Sequence, residues 1–319
     1  MIKPKLKNSD SKLYDNGLGT KLIVLRRDGY FVYIVYEDSK AVSIELEGEK
    51  DYPIGTKCVG KVFEVKKEIN SAFVILPNKQ KAFLKNCGTD IKNEQNIPVI
   101  VTRASSKGKL MSVEISDFDI EHFPDLYIVS YGHSVCETLF EKFAFDYILV
   151  EDKEIASKIE KDTENIHDAA PIHVYEDSMV SLSALYSVSN VISEATGKCV
   201  WLKSGANIVI ETTQAMTVID VNSAKNVRKN ADSKEFLKVN MEAAGEIFRQ
   251  MTLRNLSGII IVDFINMRNG EDVEELMKFL EELAQKQNVF TKIIDITPLG
   301  LVEITRKKTG ATVYDLKSL

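Results

Sequence analysis

Cysteine and histidine are scarce, four of each in 319 residues. Cys58, Cys87, Cys136 and Cys199 stand far apart with no C-x-x-C pair. That spacing argues against a disulfide framework and against a thiolate zinc site, and the four read as buried, inert thiols. His122, His133, His167 and His173 show no H-E-x-x-H or other ligand spacing, so histidine chemistry is not indicated and no zinc is expected. Long apolar runs are also missing. Stretches such as residues 259–262 fall far short of the roughly 20 residues a bilayer needs, and no membrane span is expected. Residues 1–20 carry Lys3, Lys5, Lys7 and Lys12 without an apolar core. They fail as a secretory signal and read as a polar tail, which makes a cytoplasmic location the default expectation. No internal repeat is visible, so a solenoid or propeller is not indicated.

What is present is an ordinary globular composition, 44% hydrophobic and 28% charged, in a length sufficient for two or three domains. The 41 basic and 47 acidic residues give a net charge of −6, which excludes a surface that is basic throughout. Local basic clusters remain, at Lys225, Arg228 and Lys229 and at Arg306, Lys307 and Lys308, with the charge to flank a nucleic-acid backbone or to form a solvated face. Residues 21–46 read as a meander of three strands separated by Arg27-Asp28-Gly29 and Asp38-Ser39-Lys40. Residues 54–116 hold five short strand candidates with turn chemistry between them, the strand number and size of a small OB-type barrel. From His133 onward helical and strand-like patterns alternate. One helix is expected over residues 179–196, others at 236–253 and 273–287, and strands at 207–211, 216–221, 258–265, 291–296 and 301–306. That alternation predicts a mixed sheet with helical cover.

Two aspartates stand at the carboxyl ends of very apolar strands, Asp220 in AMTVIDVNS and Asp263 in SGIIIVDFINM. A buried unpaired carboxylate costs several kcal/mol, so partners or a cation are expected. The two-residue repeat places Met216, Val218, Asp220 and Asn222 on one strand face, where the Asn222 amide can donate to Asp220 and orient it. If the two strands are neighbours, the carboxylates converge at one end of a sheet. Two carboxylates without histidine or thiolate suit Mg²⁺ or Mn²⁺, and phosphodiester hydrolysis is the chemistry that follows. Strand-end aspartates that merely close turns have the same spacing.

The runs TTQAMTVIDVNSAK, KVNMEAAGEIFRQMTLRNLSGIIIVDFINM and TPLGLVEITRKK together resemble the catalytic half of the ribonuclease E/G family. The resemblance extends back through CVWLKSGANIVIE and SVCETLFEKFAFDYILVED and covers most of residues 21–310, most specifically 205–306. It implies a multi-subdomain α+β and α/β protein: an RNase H-like subdomain with an inserted OB-fold barrel, followed by a DNase I-like catalytic subdomain. The implied division is a tail at 1–20, the first RNase H-like strands at 21–48, the OB fold at 49–118, the rest of the RNase H-like part at 119–196, and the DNase I-like part at 197–319. It also implies a Mg²⁺-dependent endoribonuclease of single-stranded RNA, acting in rRNA maturation or mRNA decay. Asp220 and Asp263 match the family's metal-binding aspartates and Asn222 the asparagine that supports them. Phe73, Phe83 and Lys107 match its RNA-binding positions in the barrel.

Several positions depart from the family pattern. The zinc-binding cysteine pair that follows the catalytic part in other members has no counterpart before the final TVYDLKSL, so no zinc-linked dimer is expected. Only residues 117–131 stand where larger members carry a subdomain that senses a 5′-monophosphate, so that preference is not expected. Pro298 and Asn266 replace a frequent arginine and a frequent second acid. The alternatives are a non-catalytic OB-fold RNA-binding protein and a nuclease acting on DNA. Retention of both aspartates and Asn222 favours the endoribonuclease.

Overall fold

The computed structural model describes residues 18–106, 109–213, 215–223, 233–267, 269–308 and 310–316. Lys107 and the cluster Lys225, Arg228 and Lys229 lie outside the described residues. The chain opens with three antiparallel strands, β1 (Thr20–Arg27), β2 (Tyr30–Glu37) and β3 (Lys40–Gly48). Between β1 and β2, Asp28 (φ 54°) and Gly29 (φ 85°) both adopt left-handed backbone, the two-residue turn whose twist matches that of its strands.

Strands β4 (Lys57–Lys66), β5 (Ser71–Ile75), β6 (Lys81–Lys85), β7 (Asn96–Arg103) and β8 (Met111–Ile115) then close on themselves in the order β4-β5-β6-β8-β7-β4. This is the five-stranded barrel that residues 54–116 predict. Val62, Val74, Leu84, Val99 and Val113 fill it. At Gly60 an added Cβ would stand 2.5 Å from Val74 Cγ1, so the strand needs glycine where it crosses the interior. A short strand, β9 (Ile128–Ser130), pairs with β4 outside the ring.

Next come α1 (Val135–Phe140), β10 (Tyr147–Val150), α2 (Lys153–Asp162), β11 (Ile172–Val174), α3 (Leu182–Leu185) and α4 (Val188–Thr196). β10 joins β1 in parallel, giving a first sheet ordered β11-β10-β1-β2-β3. Both of its faces are covered. Leu22 and Val24 pack with Cys136, Leu139, Ile155 and Ile159 of α1 and α2. Ile23 and Leu25 pack with Leu182, Val188 and Ile192 of α3 and α4. A strand buried on both faces reads as an unbroken apolar run, as LIVL does. The single helix expected over 179–196 is two helices, because Ser187 adopts left-handed backbone (φ 46°) between them. Ser181 caps the first by accepting from the Ala184 N–H.

The second sheet is built from β12 (Cys199–Trp201), β13 (Asn207–Thr212), β14 (Met216–Asn222), β15 (Gly258–Asp263), β16 (Thr291–Ile296) and β17 (Leu301–Arg306), in the order β12-β13-β14-β15-β17-β16. Helices α5 (Ser233–Leu253) and α6 (Gly270–Gln285) cover one face, where Ala244, Ile247, Met251, Leu276 and Leu280 meet Ile208, Ile219, Ile260 and Val262. Among the described residues no helix covers the other face, on which Met216, Val218 and Ile259 are exposed. Among the described residues no helix is long and apolar enough to cross a membrane.

Candidate active site

β14 and β15 run parallel, and Asp220 and Asp263 are Cα partners in their register. Adjacent parallel strands lie about 4.8 Å apart and paired residues point to the same side, so the two carboxylates rise side by side. They emerge on the open face: Thr217, Ile219 and Val221 point inward, whereas Met216, Val218 and Asp220 are exposed. The expectation of acids buried at the ends of apolar strands is thus corrected. The strand is apolar on both faces, but among the described residues its second apolar face meets no helix, and both aspartates are exposed. Asn222 Nδ2 donates to Asp220 Oδ2 at 2.7 Å, the orienting contact that the two-residue repeat predicts. Among the described residues no turn backbone N–H donates to either aspartate.

The end of β15 is fixed from the helical layer. Asn240, fully buried on α5, donates through Nδ2 to the Ile265 carbonyl at 2.8 Å and accepts at Oδ1 from the Ile265 N–H at 3.0 Å. These bonds draw the backbone off the sheet, so the strand expected over 258–265 stops at Asp263. Sequence reasoning missed Asn240, whose signal is an amide set in the apolar stripe Leu237, Ala244, Ile247 and Met251. The turn from β16 to β17 forms the neighbouring rim. Gly300 (φ 84°) donates its N–H to the Thr297 carbonyl at 2.8 Å, and Leu301 then pairs with Asp263. A Cβ on Gly300 would lie 3.6 Å from Asn266 Oδ1, so Asn266 and the Pro298 turn share one edge of the site.

Phe73 and Phe83 form a separate group on the barrel. They are Cα partners on β5 and β6, with ring centroids 5.7 Å apart, half-buried on the outer surface while Ala72, Val74, Ala82 and Leu84 point into the core. Two other expectations change. Arg306 is 3% exposed, and its Nη1 donates to Asn255 Oδ1 at 3.2 Å and the Leu256 carbonyl at 2.6 Å, so it braces the sheet and is not free for a polynucleotide. Burial lowers its pKa against the opposing charge of Glu45. Lys307 and Lys308 are exposed. Cys58, Cys87 and Cys136 are buried but Cys199 is exposed, because it lies on the edge strand β12.

A second buried cation ties the two sheets together. Arg254 is fully buried and donates through Nε to Gln250 at 2.6 Å and through Nη1 to the Gly197 carbonyl at 2.7 Å and the Tyr314 hydroxyl at 3.0 Å. Two clefts, of about 910 and 450 Å³, lie between the sheets and beside the barrel, and neither is lined by Asp220 or Asp263. Cleft size is a poor guide here, because a polymer can reach two carboxylates on an open face without an enclosing pocket.

The sequence profile of the Ribonuclease E/G family matches residues 130–309, more than half of the chain. Ribonuclease G of Salmonella typhimurium (strain SL1344) is 45% identical over 130 residues, 40% of this chain and 26% of that protein. Ribonuclease E of Nostoc sp. (strain PCC 7120) is 40% identical over 131 residues, 41% of this chain and 19% of that protein. Ribonuclease G of Escherichia coli (strain K12) is 42% identical over 130 residues, 40% of this chain and 26% of that protein. The matched segments thus span about a fifth to a quarter of the curated relatives. The β14–β15 carboxylate pair, the amide bound to it and the helices behind it all fall within the matched residues, and the chain belongs to the ribonuclease E/G family.

Proposed function

We propose that this chain is a metal-dependent endoribonuclease that hydrolyses single-stranded RNA, with Asp220 and Asp263 as its metal ligands. The observation that carries the reading is their register: two carboxylates side by side on an open sheet face, one of them held by Asn222. The printed names of the relatives, ribonuclease G and ribonuclease E, support the same class of activity. In this reading the first sheet with α1 to α4 is the RNase H-like subdomain, interrupted by the OB barrel at 49–118, and the second sheet from residue 197 is the DNase I-like catalytic subdomain.

The donor set fits a hard divalent cation such as Mg²⁺. Its ligands are carboxylate oxygens on a solvated face, and among the described residues no three His, Cys, Asp or Glu side chains gather at one point. Mg²⁺ retains several waters and needs only one or two carboxylates from a protein. When bound, it supplies Lewis-acid stabilisation of phosphorane charge and a water of lowered pKa. The chain's own residues do the rest. Asn222 donates to Oδ2 of Asp220, whose Oδ1 takes no hydrogen bond from the described residues, while Asn240 fixes the backbone that presents Asp263. Phe73 and Phe83 receive bases on the barrel. Attack of water on phosphorus with cleavage of the P–O3′ bond leaves a 5′-phosphate and a 3′-hydroxyl. Without a sensor subdomain in residues 117–131, the 5′ end of the substrate has little influence. Processing of rRNA or decay of mRNA in the cytoplasm is the setting this activity suits.

The test is substitution. Asp220→Asn and Asp263→Asn should each abolish cleavage while RNA affinity stays within a few-fold, since both remove a ligand and leave the barrel intact. Undiminished cleavage by either variant removes that residue from the reaction.

A further inference from the structure

Phe63 occupies the extra position of a β-bulge. The β4–β5 register passes from Val62 opposite Val74 directly to Glu64 opposite Phe73, and Phe63 has no partner of its own. A bulge sets two residues against one and re-aims a side chain. With Val62 in the core, Phe63 points out of the barrel and is 46% exposed, and the bulge puts Glu64 on the same outer side.

The ring lies at one end of a row that crosses the outer surface of the barrel strand by strand. From Glu64 the register runs to Phe73, then Phe83, then Ser112 and finally Arg103. At the far end the Ser112 hydroxyl and Arg103 Nε are buried and have no hydrogen-bond partner among the described residues. Beside the near end Lys81 Nζ stands 4.1 Å from the centroid of the Phe63 ring. Lys81 and Lys85 are both exposed on β6, and neither has an acidic partner within ion-pair distance among the described residues. Aromatic faces in a row with unpaired cations alongside are what a single-stranded polynucleotide requires: stacking surfaces for bases and positive charge for phosphates. A neutral apolar partner would leave those lysines uncompensated, so charge complementarity selects the polyanion.

We infer that Phe63 and Lys81 form a third nucleotide-binding position on the barrel, next to Phe73 and Phe83, with the base stacked on Phe63 and Lys81 bound to the adjoining phosphate. The inference rests on the reading that this barrel binds single-stranded RNA. Lys81 covers the ring in the free protein. An exposed ammonium–ring contact is weaker than base stacking, so the entering base displaces the ammonium toward the phosphate.

The experiment measures affinity of the full chain for unstructured RNA oligonucleotides of increasing length, in EDTA so that no cleavage intervenes. Phe63→Ala should weaken binding by about five- to 150-fold. The loss should appear only with oligonucleotides long enough to pass beyond Phe73 and Phe83, and Phe63→Trp should restore affinity. Lys81→Gln should reduce the slope of log affinity against log salt by about 0.7, the value for one phosphate contact on a single strand. Phe73→Ala and Phe83→Ala serve as references. If they weaken binding and Phe63→Ala does not, or if Phe63→Trp is as weak as Phe63→Ala, the third position is refuted and the barrel reading stands. An unchanged salt slope refutes the role of Lys81. If none of the three alanine variants loses affinity, the barrel reading itself fails.

Discussion

Replacing Asn240 by alanine removes the two hydrogen bonds that hold the backbone beyond Asp263, at 2.8 and 3.0 Å, and offers nothing in their place. Each backbone group left unsatisfied in a buried setting costs about 1–3 kcal/mol. Ile265 is only half-buried, so water recovers part of that loss, and about 2–3 kcal/mol of destabilisation is the expected sum. Trp201 is the sole tryptophan and lies on β12 of the same sheet, so urea unfolding followed by its fluorescence reports the affected unit. Cleavage should suffer as well under conditions where the variant is folded. A displacement of a ligand by about 1 Å can cost about a hundredfold in rate, and the deficit should appear in kcat with KM little changed. An Asn240→Ala protein within about 0.5 kcal/mol of the parent, cleaving at the parent rate, would refute the idea that α5 positions the end of β15.

Two further outcomes follow from the electrostatics and burial. In native protein near neutral pH a single thiol, Cys199, should react rapidly with a chromogenic disulfide reagent, and all four should react after denaturation. Burial pushes the Cys58 thiol up to about 12, and a second fast native thiol would contradict the packing. Burial alone would raise the pKa of Glu246, but the bonds it accepts from Arg249 and Gln250 outweigh that and hold it below the ordinary value of 4.5. Its contribution to stability is therefore present above that value and is lost as pH falls through the lower folded pKa. Urea midpoints measured between about pH 6 and pH 3 should fall less steeply for Glu246→Gln than for the parent, and parallel curves would reject the assignment.

Local pattern carried far in this chain wherever one neighbour decides the conformation. β16 and β17 have the bounds that their alternation predicts, and the barrel has its five strands, because turn residues and two-residue periodicity are properties of short segments. The contact between Asn222 and Asp220 was legible for the same reason. Features set by tertiary packing were not. The helix over 179–196 has unbroken apolar periodicity, yet Ser187 breaks it so that α3 and α4 can both reach the first sheet. The apolar composition of β14 suggested burial of Asp220, and only the position of α5 and α6 on one side of the sheet shows which face is open. Arg306 reads as a surface charge beside two lysines, but β17 turns it inward onto Asn255 and Leu256. Asn240 could be flagged as an amide in an apolar stripe, but its partner, 25 residues away, could not be read from the stripe.

The central claim is that the paired carboxylates on β14 and β15 catalyse hydrolysis of RNA, and cleavage of one labelled, unstructured RNA tests it most directly. The RNA should carry either a 5′-monophosphate or a 5′-hydroxyl and be incubated with Mg²⁺, with EDTA, and beside the Asp220→Asn protein. The account predicts internal cutting that requires Mg²⁺, leaves 5′-phosphate products, differs little between the two 5′ ends and disappears in the variant. Tight binding without cutting, or cutting that survives EDTA or the substitution, would contradict it.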